Sequence, residues 1–309
     1  MTVDGILNIN KPAGKTSFSI VAMVKRLSGE RRVGHAGTLD PAATGVLPVC
    51  LGQGTRVVEF LVDATKAYQA QIELGVATDT YDASGKITCQ GDPSRISQIQ
   101  LESALNSFRG LIQQIPPMYS AVKYQGKPLY ELARAGIKVA RKSRLAKIYH
   151  LELIDFKLPV ATVDVVCGKG TYIRSLAHDL GQALGCGANL KSLIRLRCGP
   201  FDIKSAVSLP QLEDAFRYGY WQHLLYPIDS ILSHWAAMVV SDDTGRIIRN
   251  GRPLALDVSS GGTDYLEQYS TAWSSFENHC RVYTPDGRFL GVLRFNPETR
   301  QWQPEKIFL

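Results

Sequence analysis

The chain has 309 residues, 45% hydrophobic and 20% charged, with a formal net charge of +7. That composition is ordinary for a globular protein, no apolar run is long enough to span a bilayer, and the length suits one large domain plus a small one. The charge is uneven, 27 Lys and Arg against 18 Asp and Glu in residues 1–228 but 8 against 10 in 229–309, so a polyanionic partner is expected on the first part.

The opening Met1-Thr2-Val3-Asp4-Gly5 lacks the basic start and apolar stretch of a signal peptide, so a cytoplasmic location is expected. Ile6 to Ile9 reads as a first strand. Pro12-Ala13-Gly14 makes a turn, and Thr16 or Ser17 can cap a helix to about Leu27 with Ile20, Val21, Val24 and Leu27 on one face. Gly34 to Gly45 reads as a glycine-rich loop, Val46 to Leu51 as an apolar strand and Arg56 to Leu61 as a short helix. Lys66 to Leu74 alternates as a strand, and Lys86 to Cys89 is a second, shorter one. Ser97 to Phe108 predicts an amphipathic helix with Ile99, Leu101, Leu105 and Phe108 inward.

Tyr119 to Tyr124 is expected as a strand and Pro128 to Ala135 as a helix. Residues near 125–147 form a basic segment, carrying Arg134, Lys138, Arg141, Lys142, Arg144 and Lys147. Strands are predicted at Ala146 to Phe156, at Val160 to Val166 and at Leu193 to Phe201. Thr171 to Leu184 should be a helix with Thr171 as its N-cap, and Ser208 caps a short helix through Phe216. A boundary falls near Tyr226-Pro227. Beyond it come short strands, at 280–284 and 288–295, around the turn Thr284-Pro285-Asp286-Gly287. Ser259-Ser260-Gly261-Gly262 reads as a flexible loop, and Asp257 to Cys280 has no assignment. These elements predict an α+β protein: a large domain with a mixed, mostly antiparallel sheet over 1–228, then a small β-barrel over 229–309.

Chemistry concentrates in a few segments. In Gly34-His35-Ala36-Gly37-Thr38-Leu39-Asp40-Pro41-Ala42-Ala43-Thr44-Gly45 one carboxylate, Asp40, stands in a loop able to approach a ligand closely. A plain Asp-Pro turn explains the segment equally well. Tyr68 follows a basic residue at a strand start and could stack on a base, or fill a core. Arg174 falls in the first turn of its helix, where the helix dipole disfavours a cation, so a carboxylate partner is expected. Leu193, Arg195 and Arg197 alternate, predicting a strand with one basic face. Asp79-Thr80-Tyr81-Asp82 fits no common metal loop. The six cysteines have no C-x-x-C spacing and no His pair nearby, so buried reduced thiols and no metal site are expected.

In order along the chain, these segments resemble the bacterial TruB-type tRNA pseudouridine synthases. The shared pattern runs through Asn10-Lys11-Pro12-x-Gly14-x-Thr16-Ser17, then Gly34-His35-x-Gly37-Thr38-Leu39-Asp40-Pro41-x-Ala43-Thr44-Gly45, Lys66-x-Tyr68 and Thr78-Asp79-Thr80-x-Asp82-x-x-Gly85. It continues in Pro116-Pro117-x-Tyr119-Ser120-Ala121-x-Lys123, Gly170-Thr171-Tyr172-Ile173-Arg174 and Leu193 through Phe201. The resemblance implies a catalytic Asp40 paired with Arg174, a Tyr68 that stacks on the target base and a Leu193 that walls it. His35 would fill the tRNA loop after the base has flipped, and Lys11 and Tyr172 would support the site. Lys138, Arg141, Lys142 and Arg144 are expected to touch RNA.

The implied reaction isomerises the T-arm uridine at tRNA position 55, with no metal, cofactor, membrane, DNA or obligate protein partner. Residues 229–309 resemble the family's PUA-like domain. A guide-RNA-dependent synthase is the alternative, against which the short lead before Lys11 argues; an RNA-binding or tRNA-folding protein is another. A sugar hydrolase would want a second carboxylate near Asp40, and the loop holds none.

Overall fold

The computed structural model describes residues 3–254 and 278–308. Ten strands build one large sheet: β1 (Gly5–Lys11), β2 (Val33–His35), β3 (Thr44–Leu51), β4 (Lys66–Leu74), β5 (Gly110–Gln114), β6 (Arg144–Lys157), β7 (Val160–Cys167), β8 (Ala188–Cys198), β9 (Phe201–Asp202) and β10 (Leu225–Tyr226). Their order is β10-β1-β3-β8-β4-β7-β6-β5, with β9 on β8 and β2 on β3. The β3–β8 pair is parallel and its neighbours are antiparallel. The sheet is thus mixed and mostly antiparallel, as the alternating patterns require. Gly45 makes the parallel contact possible: a Cβ there would lie 2.2 Å from the Arg195 carbonyl oxygen.

One face of the sheet carries Ala70, Ile72, Val163 and Val165, packed against Ile173, Leu176 and Leu180 of the helix Ile173–Ala183. The helices are α1 (Ser17–Ser28), α2 (Val58–Asp63), α3 (Gln98–Asn106), α4 (Leu129–Arg134), α5 (Ile173–Ala183), α6 (Leu209–Arg217) and α7 (Asp242–Arg249). A second core joins Leu7, Ile9, Leu47 and Val49 to Ile20, Val21 and Val24 of α1 and to Leu212 of α6. The caps expected at Thr16 and Ser208 form, each side chain accepting an amide N–H of the first turn.

After Tyr226 come β11 (Ala236–Val239), β12 (His279–Tyr283), β13 (Phe289–Asn296) and β14 (Gln301–Ile307), a second, four-stranded sheet in that order. These strands stand where the small barrel is expected, and Leu254 bridges Trp302 beside them. The turn at Thr284 to Gly287 joins β12 to β13, with Gly287 at φ 80°. This sheet is not tethered loosely. Val292 and Phe308 share a buried cluster with Ile6, Val46, Val57, Leu61 and Trp235, Lys306 pairs with Glu59 at 2.7 Å, and Arg56 donates to the Ile307 carbonyl.

Several local expectations change. Tyr119 to Tyr124 is not a strand; Lys123–Tyr124 alone pairs, with Lys127–Pro128, across a turn where Gln125 and Gly126 have positive φ. The backbone before it is engaged elsewhere, the Tyr119 carbonyl by Arg174 and the Ser120 carbonyl by Tyr130. Ile99 is 79% exposed, because Leu101 and Leu105 set the inner face of α3 and Ile99 lies about 200° round the helix from Leu101. The uneven inward set of β6, Ile148, Leu151, Leu153 and Phe156, follows from two register shifts, after Ile148 and after Leu153, that rephase the strand. Strand β5 had no sequence signal, and it closes the sheet edge beside β6. Five of the six cysteines are buried, but Cys89 is exposed; all six are free thiols. The loop at Ser259 to Gly262, and most of the Asp257 to Cys280 stretch, lie outside the described residues.

Candidate active site

The Asp40 loop is a true turn and something more. The Asp40 carbonyl accepts the Ala43 N–H at 3.1 Å, with Pro41 in the second position, where its fixed φ belongs. Three elements hold this turn. Ser17 of α1 accepts the Leu39 N–H at 2.9 Å and donates to the Leu39 carbonyl at 3.1 Å. Lys11, at the end of β1 and fully buried, donates to the Pro12, Lys15 and Pro41 carbonyls. The Gly14 N–H reaches the Pro41 carbonyl at 2.9 Å. Asp40 is therefore presented by a backbone fixed on both sides, while 39% of its side chain stays open.

Arg174 meets it in a two-pronged pair. Nε lies 2.9 Å from Oδ2, and Nη2 donates to Oδ1 at 3.1 Å. The guanidinium is 7% exposed and all its directions are used. Nη2 also donates to the Tyr119 carbonyl at 2.7 Å, Nη1 donates to the Thr80 carbonyl, and Nη1 lies 3.6 Å from Asp82 Oδ2. The cation expected to need a carboxylate has two.

Tyr172 is the N-cap residue of α5, in place of Thr171, whose hydroxyl turns back to the Gly168 carbonyl. Gln114 of β5 accepts the Tyr172 N–H at 3.1 Å and donates to its carbonyl at 3.2 Å. This buried amide, which carries no sequence signal, fixes the start of the helix that holds Arg174.

Tyr68 and Leu193 pack against the cluster that contains Leu39 and Ala43, the residues flanking Asp40. On the sheet Tyr68 faces Arg195 and Leu193 faces Ala70, so Tyr68 and Leu193 are diagonal neighbours on one face. His35 ends β2, half-buried, at the start of the same loop. Asp40 thus stands within electrostatic reach of Arg174, Lys11 and Tyr172, with Tyr68 and Leu193 packed on the cluster beside its loop and His35 where β2 runs into that loop.

The basic segment divides. Lys138, Lys142 and Arg144 are exposed, whereas Arg141 is half-buried and donates to the Pro116 carbonyl at 2.9 Å. The expected basic face of β8 does not form. Arg195 is 1% exposed and donates to the Val46 carbonyl at 2.6 Å and the Gly37 carbonyl at 3.0 Å. A register shift between Arg195 and Arg197 separates the two. The sequence mistook a buried tie between the Asp40 loop and the sheet for a solvent-facing cation.

Residues 25–173 match the TruB family pseudouridylate synthase N-terminal domain, and residues 174–233 match the tRNA pseudouridylate synthase B C-terminal domain. The chain is 44% identical to the tRNA pseudouridine synthase B of Dehalococcoides mccartyi over 99% of this chain and 97% of that one. It is 46% identical to the enzyme of that name from Geobacillus thermodenitrificans, covering 82% of this chain and 86% of that one.

The chain belongs to the TruB family.

A chain in the crystal structure of a Cbf5-Nop10-Gar1 complex superposes with a TM-score of 0.73 at 26% identity, over 99% of this chain and 85% of that one. The TruB family fold is thus an α+β arrangement that reaches beyond close relatives.

The electrostatics of the TruB site follow from its burial. Burial raises the Asp40 carboxyl above its ordinary value, although one edge of it is open. Arg174 and Lys11 oppose the rise, and Asp82 adds to it. Burial lowers Lys11 to about 8, against the pull of Asp40. Burial lowers His35, with Arg195 adding to the effect. Burial pushes the Tyr68 hydroxyl up to about 12 while Arg195 beside it pulls the other way, so near neutrality Tyr68 is a protonated phenol.

Because Asp40 is raised, its protonated form persists above pH 3.8, and a reaction needing the anion climbs as pH rises through the raised value. The acidic limb of a single-turnover pH–rate profile is expected above that pH; a limb at or below it would contradict the burial described.

Asp82 is the carboxylate that sequence reasoning set aside. Its Oδ1 accepts Thr80 Oγ1 at 2.8 Å and the Ser84 N–H at 3.0 Å, which leaves Oδ2 facing Arg174. A second carboxylate therefore does stand near Asp40, delivered by a different loop. It shares the guanidinium with Asp40, an arrangement for orienting a cation rather than the acid-and-base pair of a sugar hydrolase. The signal available was the Asp79 to Asp82 stretch itself, but only the tertiary fold shows which cation it meets.

Proposed function

We propose that this TruB-family chain isomerises a uridine of tRNA to pseudouridine, at the T-arm position 55, with Asp40 as the essential anion. The observation that carries the reading is the bidentate Asp40–Arg174 pair on a fixed turn, in a chain matching tRNA pseudouridine synthase B relatives almost end to end.

The bond between sugar C1′ and base N1 breaks, the base turns over, and C1′ bonds to C5. The C5 proton leaves and N1 carries one instead, so no redox partner is needed. The target lies in a stacked loop and must be flipped out, which costs a few kcal/mol. Stacking on Tyr68 returns about 1–3 kcal/mol. Leu193 shields the base from water while it is detached. Arg174 keeps Asp40 ionised and aimed. Tyr68 relays the C5 proton, its hydroxyl handing its own proton to solvent as it takes the one from C5. His35 fills the RNA loop once the base has left, and Lys11 and Tyr172 hold the site's walls.

The division into a catalytic part over 1–228 and a PUA-like part over 229–309 is proposed with it. So are a cytoplasmic location and action without a protein partner. Among the described residues no helix is long and apolar enough to cross a membrane.

The test is tritium release from a tRNA transcript labelled at uridine C5, using the purified chain alone. Stoichiometric release that disappears when the T-loop uridine is replaced supports the reading. Tight tRNA binding without release would favour a folding protein or a guide-dependent synthase. Replacing exposed Lys138, Lys142 and Arg144 with Gln is expected to weaken tRNA binding and lower the salt slope by roughly 2–3. An unchanged slope would mean the segment is a solvated face.

A further inference from the structure

The loop over 78–85 touches Arg174 twice, through the Thr80 carbonyl and the Asp82 carboxylate. Tyr81 stands between those two residues. Its backbone is left-handed at φ 66°, a conformation that a non-glycine residue holds only when its surroundings enforce it. Two contacts do so. Backbone bonds run from the Leu190 N–H to the Tyr81 carbonyl at 2.9 Å and from the Ala83 N–H to the Leu190 carbonyl at 3.0 Å. The Tyr81 ring lies flat on His178, centroids 3.9 Å apart and planes 12° apart.

His178 lies on α5 four residues after Arg174, so both side chains stand on the same face of the helix, one turn apart. The His178 Nδ1 is buried with no hydrogen-bond partner among the described residues. The ring face, not this nitrogen, is what the imidazole uses.

We propose that the Tyr81–His178 stack is a positioning device that locks the 78–85 loop to α5 and so holds Asp82 and the Thr80 carbonyl against Arg174. Tyr81 and His178 act through Arg174 and touch no reacting atom. The inference rests on the reading of this site as a pseudouridine synthase. A loosened loop frees the guanidinium to rotate, and Asp40 loses its aim. The defect is expected in the chemical step, since the stack includes none of the exposed Lys138, Lys142 and Arg144 proposed to meet tRNA.

The experiment is single-turnover tritium release beside tRNA affinity by filter binding. His178→Ala is expected to slow the chemical step about tenfold or more, with affinity within about twofold of wild type. His178→Phe keeps a flat ring and should restore most of the rate. Tyr81→Gly accepts the left-handed backbone at no cost but lacks the ring, so it should be as slow as His178→Ala. Wild-type rates in either the Ala or the Gly variant would overturn the proposal. A His178→Phe variant as slow as His178→Ala would overturn it too. If His178→Ala fails to fold, the Gly and Phe variants decide alone. No release by the wild-type chain would instead sink the functional reading on which the stack depends.

Discussion

Asp40→Asn is expected to abolish turnover, by at least about a thousandfold, while leaving tRNA affinity and the fold nearly unchanged. The amide matches the carboxylate in shape and can still accept the Arg174 Nη2–H, now at 3.1 Å. The turn survives as well, because the backbone of Leu39 and Pro41 is held by Ser17 and Lys11. What disappears is the anion. Single-turnover tritium release at saturating enzyme reads the chemistry, and filter binding reads the affinity. A variant that loses tRNA binding along with rate would show that Asp40 is structural. A variant with measurable fast turnover would remove it from the chemistry altogether.

Arg174→Lys is expected to slow the chemical step by roughly 10–100-fold with little change in affinity, because an ammonium cannot reproduce the planar fork. The guanidinium serves Asp40 with two nitrogens while also reaching the Tyr119 and Thr80 carbonyls and Asp82. One ammonium cannot span that set. Arg174→Ala goes further, leaving Asp82 and two carbonyls unpaired in a nearly closed space. About 2–4 kcal/mol of stability should be lost, somewhat offset because Asp40 is open enough to regain water. Denaturant unfolding of the two variants checks the ranking. Equal stability of Arg174→Ala and wild type would show that the network is not holding the loops together.

The two loops that converge on Arg174 explain why the site reads only partly from the sequence. Asp40 stood out because a glycine-studded loop with one carboxylate is locally unusual. Arg174 stood out because a cation in the first helical turn opposes the helix dipole. Asp82 lies 92 positions before Arg174 in the sequence, and nothing local tells which cation it faces. Gln114 looks like any strand glutamine until its amide is seen to clasp Tyr172.

The main strands follow the same division. Lys66 to Leu74 is legible because period-2 alternation marks a strand with one buried face. Tyr119 to Tyr124 misleads because strand-forming residues do not guarantee a partner, and here the carbonyls are taken by Arg174 and Tyr130.

The sequence by itself determined most of the elements, the Thr16 and Ser208 caps, the Thr284 turn, the mixed sheet and the Asp40 loop, since propensity, periodicity and turn chemistry act over a few neighbouring residues. The tertiary structure alone decided that Arg195 is a buried tie rather than part of a basic strand face, that Asp82 joins Asp40 on one guanidinium, and that the C-terminal sheet shares a core with the large one. The physical reason is the same in each case. Whether a charged or polar group faces solvent, a carbonyl or an opposite charge depends on residues that folding brings from distant parts of the chain, and pairwise contact at that range has no local signature.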